Sequence, residues 1–100
     1  MFGIAFDLTV KITEANHPKG SASAAYSEIA STLAKFGFNR IQHSLYVCTN
    51  DDLANLFNAI QALKALSWMP VSVKDIRAFK LEQWSDFTPS FKALVPPAGP

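Results

Sequence analysis

Cysteine is nearly absent. The 100 residues hold one, Cys48, which excludes an internal disulfide framework and a cysteine-built zinc cage within one chain. Histidine is almost as scarce: His17 and His43 offer little for a metal site. Neither sign of charge dominates, and the net charge of +1 lacks the basic excess with which a simple backbone-tracking protein neutralises phosphates. A small local patch, or patches pooled in a dimer, is still compatible with a nucleic-acid ligand. Long apolar runs are missing as well, and none is long enough to span a bilayer. The chain opens without a basic n-region or a cleavable apolar segment, so the expected location is the cytoplasm.

What is present suits one compact domain. Hydrophobic residues make up 49% of the chain and charged ones 17%, a balance that builds a core and argues against wholesale disorder. In the opening stretch "MFGIAFDLTV", Phe2, Ile4, Phe6, Leu8 and Val10 alternate with smaller or polar residues. That is the period of a half-buried strand, expected to run to about Thr13 because the alternation continues through Ile12. "EANHPKGS" then reads as a loop on its Pro18 and Gly20. "SASAAYSEIASTLAKFGF" reads as a helix capped by Ser21 or Ser23, with Tyr26, Ile29, Ala30, Leu33 and Phe36 on one stripe and Gly37 at its left-handed stop. "FNRIQHSLYVCT" is extended, either one bent strand or two short ones, since Gln-His is poor hairpin-turn chemistry. "NDDLANLFNAIQALKALS" is a second helix, with Asn50 as the expected cap and Leu53, Leu56, Phe57, Ile60 and Leu63 as the expected buried stripe. "VSVKDIRAFKLEQ" is the last long strand. The expected single domain covers residues 1–90, and residues 91–100, ending in "PPAGP", form an expected flexible tail with no stripe to bury.

With two strands between the helices, the order becomes β-α-β-β-α-β: an α+β, ferredoxin-like sandwich with both helices on one face of an antiparallel sheet. The even face of strand one meets the helices. Its odd face, with Gly3, Ala5, Asp7, Thr9 and Lys11, is left open, and the same parity places Ser44, Tyr46, Asp75 and Arg77 there. Asp is disfavoured in strands and costly to bury unpaired, so Asp7 is either a solvated side chain or the working group of a site. Strands one and four are neighbours in this plan, so Asp7 and Asp75 can converge. The alternative for Asp75 is a plain strand ion pair with Arg77. Lys11 lies about 13 Å along an extended strand from Asp7, too far for direct pairing unless the long side chain leans back. His43 and Ser44 are sequence neighbours that point to opposite faces of a strand, which makes a working Ser–His pair improbable. Small residues at Gly3 and Ala5 would allow a second backbone to approach the open face closely. A bare sheet face also calls for a partner, and a homodimer is expected on both grounds.

Several runs carry a family resemblance: Ala5-Phe6-Asp7-Leu8, Gly37-Phe38, Gln42 with Ser44-Leu45-Tyr46, and the long "SVKDIRAFKLEQWSDFT". In this order, over most of residues 1–88, they resemble the virulence-associated protein D (VapD) family. His43 is a departure, standing where such proteins often have glycine. The resemblance implies a small ferredoxin-like homodimer, similar to the nucleases of CRISPR adaptation. It also implies an endoribonuclease that commonly serves as the toxin of a toxin–antitoxin pair. Asp7 matches the leading catalytic candidate, while Lys11, Ser44 and Asp75 match secondary ones. Arg77 and Tyr46 are expected RNA contacts.

Two mechanisms fit these residues. In one, Asp7 is a general base for an RNA 2′-hydroxyl, with Lys11 or Arg77 steadying the developing charge. In the other, carboxylates from one or two chains hold Mg²⁺, which activates a water. The competing class is a dimeric module that binds RNA or protein on the same face without cutting.

Overall fold

A computed structural model describes residues 1–97 of the chain. The elements run β1 (Phe2–Leu8), α1 (Val10–Asn16), α2 (Ala22–Ala34), β2 (Asn39–Gln42), β3 (Leu45–Cys48), α3 (Leu53–Lys64), α4 (Met69–Ser72), β4 (Val73–Lys80) and α5 (Thr88–Lys92). The four strands form one antiparallel sheet in the order β2-β3-β1-β4. This is the α+β, split β-α-β-β-α-β plan expected from the sequence.

The even residues of β1 face the helices as anticipated. Phe2, Ile4, Phe6 and Leu8 are buried with Ala25, Ile29 and Leu33 of α2, Leu56, Ala59 and Leu63 of α3, and the connecting Trp68 and Met69. The helix α2 starts where its chemistry allows: Ser21 Oγ accepts the Ala24 amide at 3.2 Å, and Gly37 follows its end at φ +79°, in the left-handed region that favours glycine. The segment between α2 and α3 is two strands joined by the pair His43–Ser44. Among the described residues no non-glycine has a positive φ, so histidine serves in this turn without left-handed strain. A register shift between Arg40 and Gln42 absorbs the extra residue, Ile41.

Three expectations need correction. The first strand stops at Leu8, well short of Thr13. The Thr9 amide donates to the Ser72 carbonyl (2.9 Å), and the chain turns into α1, with Thr13 Oγ1 donating back to the Thr9 carbonyl (2.9 Å). Lys11 therefore lies on a helix, and strand parity says nothing about its direction. The cap of α3 is Asp52, which accepts the Ala54 amide at 2.9 Å, while Asn50 accepts the Asp52 amide at 2.8 Å one step earlier. The buried face of α3 is rotated from the expected stripe: Leu56, Ala59 and Leu63 are inside, whereas Leu53 and Phe57 are exposed. The sequence after β4 also holds a short helix, α5, which overlaps the expected tail only at residues 91 and 92. The part of the tail expectation that concerns residues 98–100 lies outside the described residues.

A buried polar cluster fixes the loop between α1 and α2. The Lys19 amide donates to His17 Nδ1 (3.1 Å), which leaves the ring proton on Nε2 to meet Glu28 Oε2 at 3.0 Å. Trp68 Nε1 donates to the other Glu28 oxygen at 3.2 Å. Burial alone would raise the Glu28 pKa. The hydrogen bonds from Trp68 and His17, with the charge of Lys19, outweigh it and hold the carboxyl below its ordinary value.

Candidate active site

The pairing of β1 with β4 sets Asp7 directly opposite Asp75 and Ala5 opposite Arg77. Residues opposite one another in an antiparallel pair share a face. Asp7, Asp75 and Arg77 therefore lie together on the face away from the helical core, as the parity argument placed them. Two carboxylates directly across a ladder repel. Arg77 relieves this from two residues along: its Nε lies 3.1 and 3.3 Å from the Asp75 carboxylate oxygens. The strand ion pair considered for Asp75 is thus present. Asp7 is different: it is exposed, and among the described residues its carboxylate has no hydrogen-bond or ion-pair partner. It is free to accept a proton or a cation.

The ladder breaks just past this pair. Leu8 opposes Val73, so Lys74 is the unpaired extra residue of a bulge beside Asp7 and Asp75. Such bulges re-aim side chains and are over-represented next to active sites. Lys74 was not among the residues anticipated from the sequence, because alternation read straight along β4 gives it no distinction. Ser44 is at the same end of β1, since the Phe6 amide donates to the Ser44 carbonyl at 3.1 Å. It is a turn residue, not part of a strand face.

Tyr46 is the clear miss. It pairs with Ile4, and so shares the helix-facing side of the sheet, where it is 1% exposed. The parity of β3 is the reverse of the expected one: Leu45 and Val47, opposite Ala5 and Gly3, take the open face instead. Tyr46 stacks on Phe6 with ring centroids 6.0 Å apart, and its hydroxyl is buried without a hydrogen-bond partner. Burial raises its pKa against the lowering effect of Arg40. It makes no RNA-binding surface. Removing an unsatisfied hydroxyl relieves a desolvation cost. Tyr46→Phe is therefore expected to leave RNA binding unchanged and to raise the thermal midpoint by a few degrees, about 4–8 °C per kcal/mol gained in a domain of this size. Thermal denaturation followed by circular dichroism reads this out.

The open face is also less bare than expected. The Phe79 ring lies over Gly3, so close that a Cβ there would meet its atoms at 2.5 Å and 2.7 Å. The small residue at Gly3 thus accommodates this chain's own aromatic ring, not another backbone. Beyond it, the segment after β4 borders a groove of about 920 Å³ lined by Arg40, Leu45, Val47, Phe79, Trp84 and Phe91, among others. Trp84, Phe87, Phe91, Leu94 and Val95 all remain exposed.

A resident metal finds few ligands within one chain. Asp7 and Asp75 are the carboxylates that would hold Mg²⁺, and Asp75 is already engaged by Arg77. Among the described residues no group of three or more His, Cys, Asp or Glu side chains could hold a metal ion. No helix among them is long and apolar enough to cross a membrane.

Comparison with known proteins agrees with this architecture. The family model of CRISPR associated protein Cas2 matches residues 1–88. The Endoribonuclease VapD homolog of Neisseria gonorrhoeae is 62% identical over 93 residues, covering 93% of this chain and 100% of that protein. Endoribonuclease VapD of Haemophilus influenzae is 59% identical over 88% of this chain and 94% of its own length. Endoribonuclease VapD of Dichelobacter nodosus is 43% identical over the same shares.

Proposed function

Because the chain belongs to the Cas2 family, and within it to the VapD proteins, we propose that it is an endoribonuclease with Asp7 as the general base. The observation that carries this reading is the contrast between the two facing carboxylates: Asp75 is neutralised by Arg77, while Asp7 is exposed and unpaired. In this mechanism Asp7 takes the proton of an RNA 2′-hydroxyl. The 2′-oxygen bonds to the adjacent phosphorus as the bond to the 5′-oxygen breaks, and the leaving oxygen takes a proton from solvent. The products are a 2′,3′-cyclic phosphate and a 5′-hydroxyl. Arg77 steadies the charge that develops on phosphorus-bound oxygens. Lys11, from the first turn of α1, is a further cation in this role, and Ser44 borders the site from the β2–β3 turn.

The test is cleavage of a structured RNA. A single 2′-deoxy substitution at the scissile nucleotide should stop cleavage there, and EDTA should leave the rate unchanged. Loss of activity in EDTA, with the deoxy substrate still cut, would replace this mechanism with a metal-activated water. Binding of RNA without any cleavage would leave a binding module.

The active unit we propose is a homodimer, supported by the apolar side chains that one copy leaves uncovered after β4. The radius of gyration is 16.1 Å, against roughly 13 Å for a compact chain of this length. Sedimentation at micromolar concentration should give twice the chain mass. A role as the toxin of a toxin–antitoxin pair, acting on RNA in the cytoplasm, completes the reading. Its support is the family resemblance.

A further inference from the structure

His43 has no part in the mechanism above, yet its exposed side chain is held by Arg40 and Tyr26. Arg40 holds it at two points across the β2–β3 turn: Nη2 lies 2.7 Å from His43 Nδ1, and Nε donates to the His43 carbonyl at 3.2 Å. The ring also sits on Tyr26 of α2, with centroids 4.0 Å apart, and the Arg40 guanidinium lies 5.9 Å from the same Tyr26 ring.

This arrangement decides the chemistry of the imidazole. A guanidinium only donates, so Nδ1 must accept, and the neutral ring carries its proton on Nε2. Among the described residues no hydrogen bond uses Nε2. The result is an exposed N–H donor with a fixed direction, next to a permanent positive charge. Its position matters as well. His43 precedes Ser44, whose carbonyl holds the Phe6 amide, one residue before Asp7. A shallow hollow of about 430 Å³ lies at this turn, lined by Ala5, Phe6, Gln42, His43, Ser44 and Leu45; it ends one residue short of Asp7, which is not among its lining residues.

We propose that this hollow is a phosphate subsite for the RNA substrate, in which the His43 Nε2–H donates to a non-scissile phosphate oxygen and so sets the strand's register relative to Asp7. The proposal rests on the ribonuclease reading and adds a substrate-binding residue to it. Fixed donors beside a cation are what positions a phosphate backbone without reading its bases. The subsite is expected to act alike on all sequences.

Two substitutions separate donor from ring. His43→Phe keeps an aromatic ring on Tyr26 and removes the donor. His43→Gln loses the ring and retains an N–H at similar reach. Binding is measured by fluorescence anisotropy with 2′-O-methyl RNA, and turnover with unmodified RNA. His43→Phe is expected to raise Kd and KM about tenfold or more, the usual effect of deleting one hydrogen bond to a charged group. Its kcat should stay within about twofold of the unsubstituted protein, because the contact is the same in ground and transition states. His43→Gln should keep most of the affinity. If the unsubstituted protein cleaves RNA and His43→Phe binds and cleaves it equally well, the subsite is wrong and the ribonuclease reading stands. If His43→Gln is as weak as His43→Phe, the donor assignment is wrong. A fall in kcat with unchanged Kd would move His43 into the chemical step and overturn the positioning role. Should the unsubstituted protein neither bind nor cleave RNA, both readings fall together.

Discussion

Asp7→Asn should abolish RNA cleavage while leaving the fold intact. The side chain is exposed and unpaired, so the amide fills the same space without leaving a partner stranded. What changes is basicity, since an amide cannot take the 2′-hydroxyl proton. A general base ordinarily contributes about 10²–10⁴-fold, and the rate should fall by at least the lower figure. Losing one carboxylate from the Asp7–Asp75 pair also removes a like-charge repulsion, so the thermal midpoint should hold or rise slightly. Asp75→Asn makes the informative contrast. Its charge is already offset by Arg77, and the substitution should slow cleavage much less, by releasing Arg77 from its fixed position. Single-turnover rates on one RNA rank the two variants. Equal rates for Asp7→Asn and the unsubstituted protein would remove Asp7 from the site.

Leu63→Ala should be severely destabilising and Phe57→Ala nearly silent, although both side chains belong to the apolar stripe that periodicity marks on α3. Leu63 is 1% exposed and lies in the central cluster, whereas Phe57 is 63% exposed. Truncating a buried leucine costs about 2–5 kcal/mol in lost transfer energy and residual cavity. In a domain of this size that lowers the thermal midpoint by roughly 8–40 °C. Removing an exposed phenylalanine forfeits little burial, so its change should stay within about 0.5 kcal/mol. Parallel thermal and urea denaturation compare them. A large loss for Phe57→Ala would mean that this face of α3 is covered in the native assembly.

The α3 contrast shows where sequence reasoning reached and where it stopped. Apolar residues at Leu53, Leu56, Phe57, Ile60 and Leu63 are enough to specify a helix with one apolar side. They span a broad arc, however, and any narrower part of it could face inward. The choice fell on the arc centred on Leu56, Ala59 and Leu63, which places the small Ala59 deep in the core. Helix rotation is a property of the facing surfaces, and no local pattern contains it. The register of β3 posed the same kind of problem with only two possible answers. "SLYVC" has bulky residues at both parities, so alternation could not say which set points to the helices. Pairing of Ile4 with Tyr46 decided it and moved Tyr46 from the candidate site into the core.

The sequence by itself determined the order of the principal elements, the buried even face of β1 and hence the exposure of Asp7. It did so because Phe2, Ile4, Phe6 and Leu8 against Gly3, Ala5 and Asp7 allow one inside and one outside, whatever packs on them. It also placed Asp75 and Arg77 on the face of Asp7, since strand neighbours in this topology follow from element order. Only the tertiary structure decided that the chain leaves β1 at Leu8 and carries Lys11 into a helix. There the Thr9 amide meets the Ser72 carbonyl, a partner more than sixty residues away that no local pattern contains. Only the tertiary structure, likewise, brought Arg40 and Tyr26 onto His43. Arg40 belongs to a strand and Tyr26 to a helix. Their meeting depends on how that helix lies across the sheet, which is set by packing between distant segments.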